Sequence, residues 1–183
     1  MYFEKAGKSN TDATLKIAKK VLLERGIRNI VVASTSGYTG LKAAELFRDT
    51  SAGLIVVTHN TGFKESGVQE FDSGIRKKIE TFGGKVYTGT MVLRGLGSAI
   101  RGKGGYTYEQ IVADTLRMLG QGIKVCVEIV AMASDAGLIP PEDVIAVAGT
   151  GKGADTAVIV KADSSNHFFQ IKIREILAKP REF

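Results

Sequence analysis

One cysteine, two histidines, three prolines and no tryptophan occur among 183 residues. A single thiol excludes an internal disulfide framework and fits a reducing compartment. Cys126 lies in an apolar, helix-like stretch and reads as a buried, unreactive thiol. No His, Cys and Asp residues cluster at ligand spacing, so no metal is expected. No apolar run approaches the ~20 residues of a membrane span. Met1 to Asn10 carries no hydrophobic signal core. A soluble, cytoplasmic protein without a membrane partner is therefore expected. No block of lysine and arginine reads as a tail; Lys19-Lys20 and Lys77-Lys78 fall on solvated helix faces. The formal charge of +6 suits an anionic ligand. Nucleic acid would rest on charge alone and is not expected as a partner. No long internal repeat is present. At roughly 150 residues per domain, residues 1–183 should form a single domain with a full core.

What the chain does hold is a dense run of hydroxyls and glycines, Ser34-Thr35-Ser36-Gly37-Tyr38-Thr39-Gly40. It follows the apolar run Ile30 to Ala33 and precedes a helix-like segment, Leu41 to Arg48. At a helix N-terminus the first amides have no internal partner, and the helix dipole favours an anion. The hydroxyls of Ser34, Thr35, Ser36 and Thr39 add neutral donors, and Gly37 permits positive φ or close approach. The same residues would equally make an ordinary capped helix.

The rest of the chain alternates strands and helices. Strands are expected at Tyr2 to Lys5, Ile30 to Ala33, Leu54 to Thr58, Lys85 to Thr88, Val144 to Ala148 and Thr156 to Lys161. Helices are expected from Asn10 or Thr11 to Arg25, around Ile75 to Phe82, from Thr107 to Leu119 and from Ile123 to Ala136. Phe168 to Ile176 alternates apolar and polar residues and reads as a half-buried edge strand. Gly89 to Tyr106 reads as one long loop holding Arg94, Arg101 and Lys103. Loops this long are uncommon inside compact domains and are usually functional or disordered. Alternating elements imply a mainly parallel sheet with helices on both faces. The short turn between the last two core strands leaves no room for a crossover helix, so that pair should be antiparallel. Ligands of open α/β sheets bind at the carboxyl ends of the strands. Ser34 to Gly40, His59 to Gly62, Thr88 to Tyr106 and Gly149 to Asp155 should gather there.

The block Ile30 to Asn60 resembles the carboxyl-terminal domain of pyruvate kinase. That domain has a strand, a Thr-x-Ser-Gly-x-Ser/Thr-Ala-like loop, a helix, and a strand ending in Val-Thr-x-Asn. The equivalents here are Ser34 to Gly40 and Val57-Thr58-His59-Asn60. Asp143 to Gly149, followed by Thr150-Gly151-Lys152-Gly153-Ala154-Asp155-Thr156, resembles its last strand, effector loop and closing hairpin. The chain is most similar to stand-alone proteins of this type, common in archaea. The resemblance implies a three-layer α/β/α sandwich with about five main strands in order 3-2-1-4-5, the fifth antiparallel. It also implies that Ser34, Thr35, Ser36, Gly37 and Thr39 hold a phosphate and that Gly149 to Asp155 flank the ligand. Stand-alone relatives are associated with flavin mononucleotide, FMN, in this crevice. The parent enzyme's catalytic barrel, roughly 200 residues or more, has no counterpart here, so phosphoryl transfer to ADP is not expected.

Several residues remain open between chemistry and structure. Arg94, Arg101 and Lys103 form either an anion clamp or a basic surface loop. Lys152 closes the last loop over an anion or is simply exposed. His59, at a strand end with Asn60, is placed for general base chemistry; His167 reads as structural. Asp155 either accepts a ribityl or sugar hydroxyl or caps a turn. Glu128 interrupts an apolar helix and needs a buried cation or donors. Tyr38, Phe63 and Tyr106 either stack on a flat ring or pack beneath loops. The expected ligand is a phosphorylated small molecule, FMN first and a sugar phosphate next. A flavin-dependent enzyme and a regulatory module without chemistry both remain open. A homodimer through the edge strand is a further expectation.

Overall fold

The computed structural model describes residues 1–183. Seven strands form one sheet: β1 (Tyr2–Lys5), β2 (Asn29–Ala33), β3 (Gly53–Val57), β4 (Lys85–Tyr87), β5 (Asp143–Ala148), β6 (Thr156–Lys161) and β7 (Lys172–Glu182). Six helices connect them: α1 (Thr11–Arg25), α2 (Tyr38–Phe47), α3 (Ser73–Thr81), α4 (Gly95–Arg101), α5 (Tyr108–Arg117) and α6 (Gln121–Asp135). The strand order is β1-β7-β6-β5-β2-β3-β4. β2, β3, β4 and β5 run parallel, and β6 is antiparallel to β5. The run β4-β3-β2-β5-β6 follows the expected 3-2-1-4-5 order, but the sheet has seven strands rather than about five, because β7 and β1 extend it beyond β6.

The alternation of side chains along each strand makes the two cores. Ile30, Val32, Leu54, Val56, Ile145 and Val147 face one way and pack beneath Leu15, Ala18 and Leu22 of α1, Phe47 of α2 and Ile79 of α3. Val31, Ile55, Val144, Ala146, Val158 and Val160 face the other way against Ile123, Cys126, Ile129 and Val130 of α6. A helix sandwiched this fully must be apolar on most sides, as α6 is. Its first turn crowds β6: a Cβ on Gly122 would come within 2.1 Å of Thr156 Oγ1, so only glycine fits there.

Three sequence-based boundaries change. α2 starts at Tyr38 rather than Leu41, because Gly37 takes φ 103° and turns the chain into the helix at once. The segment Gly89 to Tyr106 is not one loop; it contains α4. Its glycines hid a short helix that depends on tertiary support, including a Gln110 Nε2 hydrogen bond to the Gly97 carbonyl at 2.9 Å. Ser165–Gln170 form a 3-10 turn, so the last strand begins at Lys172 rather than Phe168. This strand is an edge only in its first half. From Lys179 onward it pairs in parallel with β1, a contact between the two ends of the chain that no local pattern encodes. No helix is long and apolar enough to cross a membrane.

Candidate functional site

The parallel strands β2 and β3 end side by side, so the segments that follow them share one rim of the sheet. Ser34 continues the ladder with its N–H on the Val57 carbonyl, 2.9 Å, and its Oγ accepts the Gly40 N–H at 3.1 Å. Leu41 N–H closes the first helical turn on the Gly37 carbonyl at 2.8 Å. Between them, the five amides of Thr35, Ser36, Gly37, Tyr38 and Thr39 make no hydrogen bond within the chain. Five consecutive free donors at a helix N-terminus are the electrostatic requirement for holding an anion.

Four of these five residues, Thr35, Ser36, Tyr38 and Thr39, border a cavity of about 760 Å³, within the range of small-molecule and cofactor sites. Of the residues proposed from sequence, Ser34, Thr35, Ser36, Tyr38, Thr39, His59 and Arg94 line it. So do Gly149, Gly151, Lys152 and Gly153, which close it from the β5–β6 side. Gly37 and Gly40 form the frame of the cup. A Cβ on Gly37 would sit 2.6 Å from Ile75 Cγ2, and one on Gly40 would sit 2.7 Å from Val56 Cγ1.

Other proposed residues stand apart from the lining. Asn60 donates from Nδ2 to the Thr61 carbonyl at 2.8 Å. Arg101 ends α4 with its guanidinium 5.8 Å from the Tyr106 ring centroid. Thr150 belongs to the same loop but is not part of the lining, and its Oγ1 is buried and unpartnered. Asp155 and Thr156 are fully or almost fully buried. Asp155 Oδ2 accepts from Gly7 N at 3.0 Å and Thr150 N at 3.1 Å, and Oδ1 accepts from the Thr156 hydroxyl at 2.8 Å. Of the two readings for Asp155, the structure shows the turn-holding one.

His59 is anchored from both sides. Thr58 Oγ1 and Gln69 Nε2 donate to its carbonyl at 2.8 and 3.1 Å. Its Nδ1 lies 3.1 Å from Glu70 Oε2, and its Nε2 lies 3.4 Å from Thr35 Oγ1. Phe63 stacks on the imidazole at 3.8 Å between centroids, and Arg94 lies over Phe63 at 4.5 Å. Glu70 is also bonded to Lys64, which, with help from His59, holds its carboxyl below the ordinary carboxylate range against the effect of burial.

The opposite wall comes from α5 and α6. Lys124 and Glu128, one helical turn apart, form a buried ion pair, and Glu128 Oε1 also accepts the Leu93 N–H at 2.8 Å. This supplies the buried cation and donor that Glu128 requires. Burial pushes the Lys124 ammonium pKa down; Glu128 opposes that shift, and Arg117 and Arg94 add to it. The ammonium has one acceptor in the chain and borders the cavity. Burial also pushes the Cys126 thiol far up, consistent with an inert side chain.

Lys8, Lys64, Glu70, Arg117 and Lys124 also line the cavity and carry no motif that marks them as site residues. Only the Lys124–Glu128 spacing offered a local signal. Lys8 arrives from the N-terminal segment, where its ammonium sits 4.1 Å from the Tyr38 ring centroid.

Against known proteins, the family described as "Pyruvate kinase, alpha/beta domain" matches residues 12–160. A pyruvate kinase from Cryptosporidium parvum superposes with a TM-score of 0.46 at 15% identity, covering 84% of this chain and 23% of that one. The Cryptosporidium parvum pyruvate kinase in complex with ADP gives 0.45 at 16% identity, covering 84% and 24%. O-ureido-L-serine synthase gives 0.32 at 19% identity, covering 59% and 29%. The chain therefore spans less than a quarter of the length of those two kinases. With more than half of its residues matched by one family, the chain belongs to the pyruvate kinase alpha/beta domain family.

Proposed function

We propose that this protein binds a phosphorylated small molecule, with the phosphate in the Ser34–Gly40 cup and the rest of the ligand in the adjoining cavity. The observation that carries the reading is the set of five unpaired amides from Thr35 to Thr39. Charge supports it: Lys8 and Lys152 border the cavity and make no ion pair.

FMN is the first ligand of choice, and the residues present fit it. The cup suits its phosphate. Phe63 and Tyr38 border the cavity, and Lys124 offers a buried donor to the acceptors of a flavin ring edge. A bound flavin would supply redox chemistry; the chain would supply binding, orientation and charge. A sugar phosphate is the second ligand, using the same cup. The proposal carries over the ligand crevice of the kinase domain and not its phosphoryl transfer to ADP.

The test is titration of the purified protein with FMN, followed by flavin fluorescence and by melting temperature. A ligand at ~100 times its dissociation constant should add about 2.7 kcal/mol of stability. Ser36 is exposed and its hydroxyl makes no hydrogen bond in the chain, so Ser36→Asp should leave the fold intact and place a carboxylate in the cup. Binding of FMN by the wild type and its loss in this variant support the reading. Absence of any response to FMN or to sugar phosphates removes it.

A homodimer through the strand edge is a separate proposal. Only Lys172 to Ile176 of β7 lacks a neighbour on its outer side. Light scattering that shows a monomer at high concentration would exclude it.

A further inference from the structure

We infer that Thr35, His59 and Glu70 cleave phosphate monoesters seated in the cup, so that the bound phosphate compound is a substrate and not only a ligand. This rests on the phosphate-binding reading above. The three side chains form a continuous hydroxyl–imidazole–carboxylate chain: Thr35 Oγ1 to His59 Nε2 at 3.4 Å, then His59 Nδ1 to Glu70 Oε2 at 3.1 Å. An ionised carboxylate only accepts, so in the neutral ring the proton sits on Nδ1 and the Nε2 lone pair faces the Thr35 hydroxyl. Such a base is commonly loose in the absence of substrate and tightens when the substrate is bound.

The position of Thr35 strengthens the inference. It occupies the strand-to-helix turn between β2 and α2, followed directly by the free amides of Ser36, Gly37, Tyr38 and Thr39. Donors that follow a nucleophile in this way are placed to receive charge that develops on the group under attack. The charged groups around His59 are Glu70, its partner Lys64, and Arg94 across the Phe63 ring. Glu70 does not line up with the cup itself; it acts through His59 as a positioning residue.

The reaction balances with water alone. Thr35 Oγ bonds to phosphorus as its proton passes to His59 Nε2. The ester P–O bond breaks with its electron pair on the departing oxygen, which takes that proton. Water then attacks the phosphothreonine phosphorus and gives a proton to His59. Thr35 Oγ leaves, is reprotonated by His59, and inorganic phosphate remains.

The test uses p-nitrophenyl phosphate as substrate, with inorganic phosphate as the binding probe in melting experiments. The wild type should release p-nitrophenol, and His59→Gln and Thr35→Ala should each reduce the rate by about 100-fold or more. Thr35→Ser should retain it. Glu70→Gln should lower kcat at unchanged KM, because the imidazole loses the carboxylate that orients it. Stabilisation by inorganic phosphate should persist in His59→Gln and Glu70→Gln, which also shows that they are folded. No release by a wild type that phosphate still stabilises overturns the cleavage and leaves the binding reading standing. Release unaffected by His59→Gln overturns it equally. Failure of both phosphate and FMN to stabilise the wild type removes the binding reading, and the cleavage with it.

Discussion

Asp155 holds Gly7 from the opposite end of the chain: its Oδ2 accepts the Gly7 N–H at 3.0 Å across 148 positions. The same carboxylate takes the Thr150 amide and the Thr156 hydroxyl. One buried charge therefore ties the N-terminal segment, the loop that closes the cavity, and β6 together. Asp155→Asn turns one acceptor oxygen into a donor amide facing N–H groups. The expected loss is about 2–3 kcal/mol in urea unfolding, the worth of hydrogen bonds to a charged group. A value within about 0.5 kcal/mol of wild type, typical of neutral surface changes, would show that this clasp holds nothing.

The Lys124–Glu128 pair is the second buried charge on which the site depends. Glu128→Gln leaves an ammonium buried without its counter-charge and should cost about 3–5 kcal/mol. Lys124→Met with Glu128→Leu removes both charges and should cost clearly less than the single change. Denaturant midpoints of the two variants decide the order, and a double variant weaker than the single one would contradict the ion-pair account.

Glu70 should make the region around His59 sensitive to acid. Its folded-state pKa lies below the ordinary 4.5, chiefly through the hydrogen bond from Lys64, with His59 adding to it. A carboxyl depressed in this way contributes stability above its unfolded value and loses it as pH falls through the folded one. Stability measured from pH 6 downward, roughly the start of such a window, should fall more steeply in the wild type than in Glu70→Gln. Parallel curves would show that Glu70 contributes nothing in the fold.

Gly37 carries two constraints at once. Its φ is 103°, and a Cβ there would sit 2.6 Å from Ile75 Cγ2. Gly37→Ala should therefore destabilise by about 1–3 kcal/mol. Adding Ile75→Ala relieves the clash but not the backbone strain, so the Gly37→Ala penalty should shrink without vanishing in that background. Full recovery would show that sterics alone fix the residue.

The sequence made the frame of the site legible and left most of its walls hidden. Strand alternation, the glycine after Ser34-Thr35-Ser36, and the turn before Thr156 predict the central sheet and the cup from local patterns. α4 escaped because its glycine-rich residues favour a helix weakly and part of its support, the Gln110 hydrogen bond to Gly97, comes from another helix. β1 escaped as a partner of β7 because that pairing joins opposite ends of the chain. Glu70 reaches the cavity on the loop after β3 and Lys8 on a 3-10 turn before α1, and no spacing marks either. Asp155 was visible as an acid near the crevice. Its burial behind the loop follows from the reach of Gly7, which only the folded chain shows.

The central claim is that the amides of Thr35 to Thr39 are kept free to bind a phosphate. The direct measurement is an amide-resolved NMR titration with FMN and with inorganic phosphate. The account predicts that the Thr35, Ser36, Gly37, Tyr38 and Thr39 N–H resonances shift together and saturably, with Ser36→Asp abolishing the response. Saturating ligand that leaves these five resonances in place, or moves only others, would contradict it.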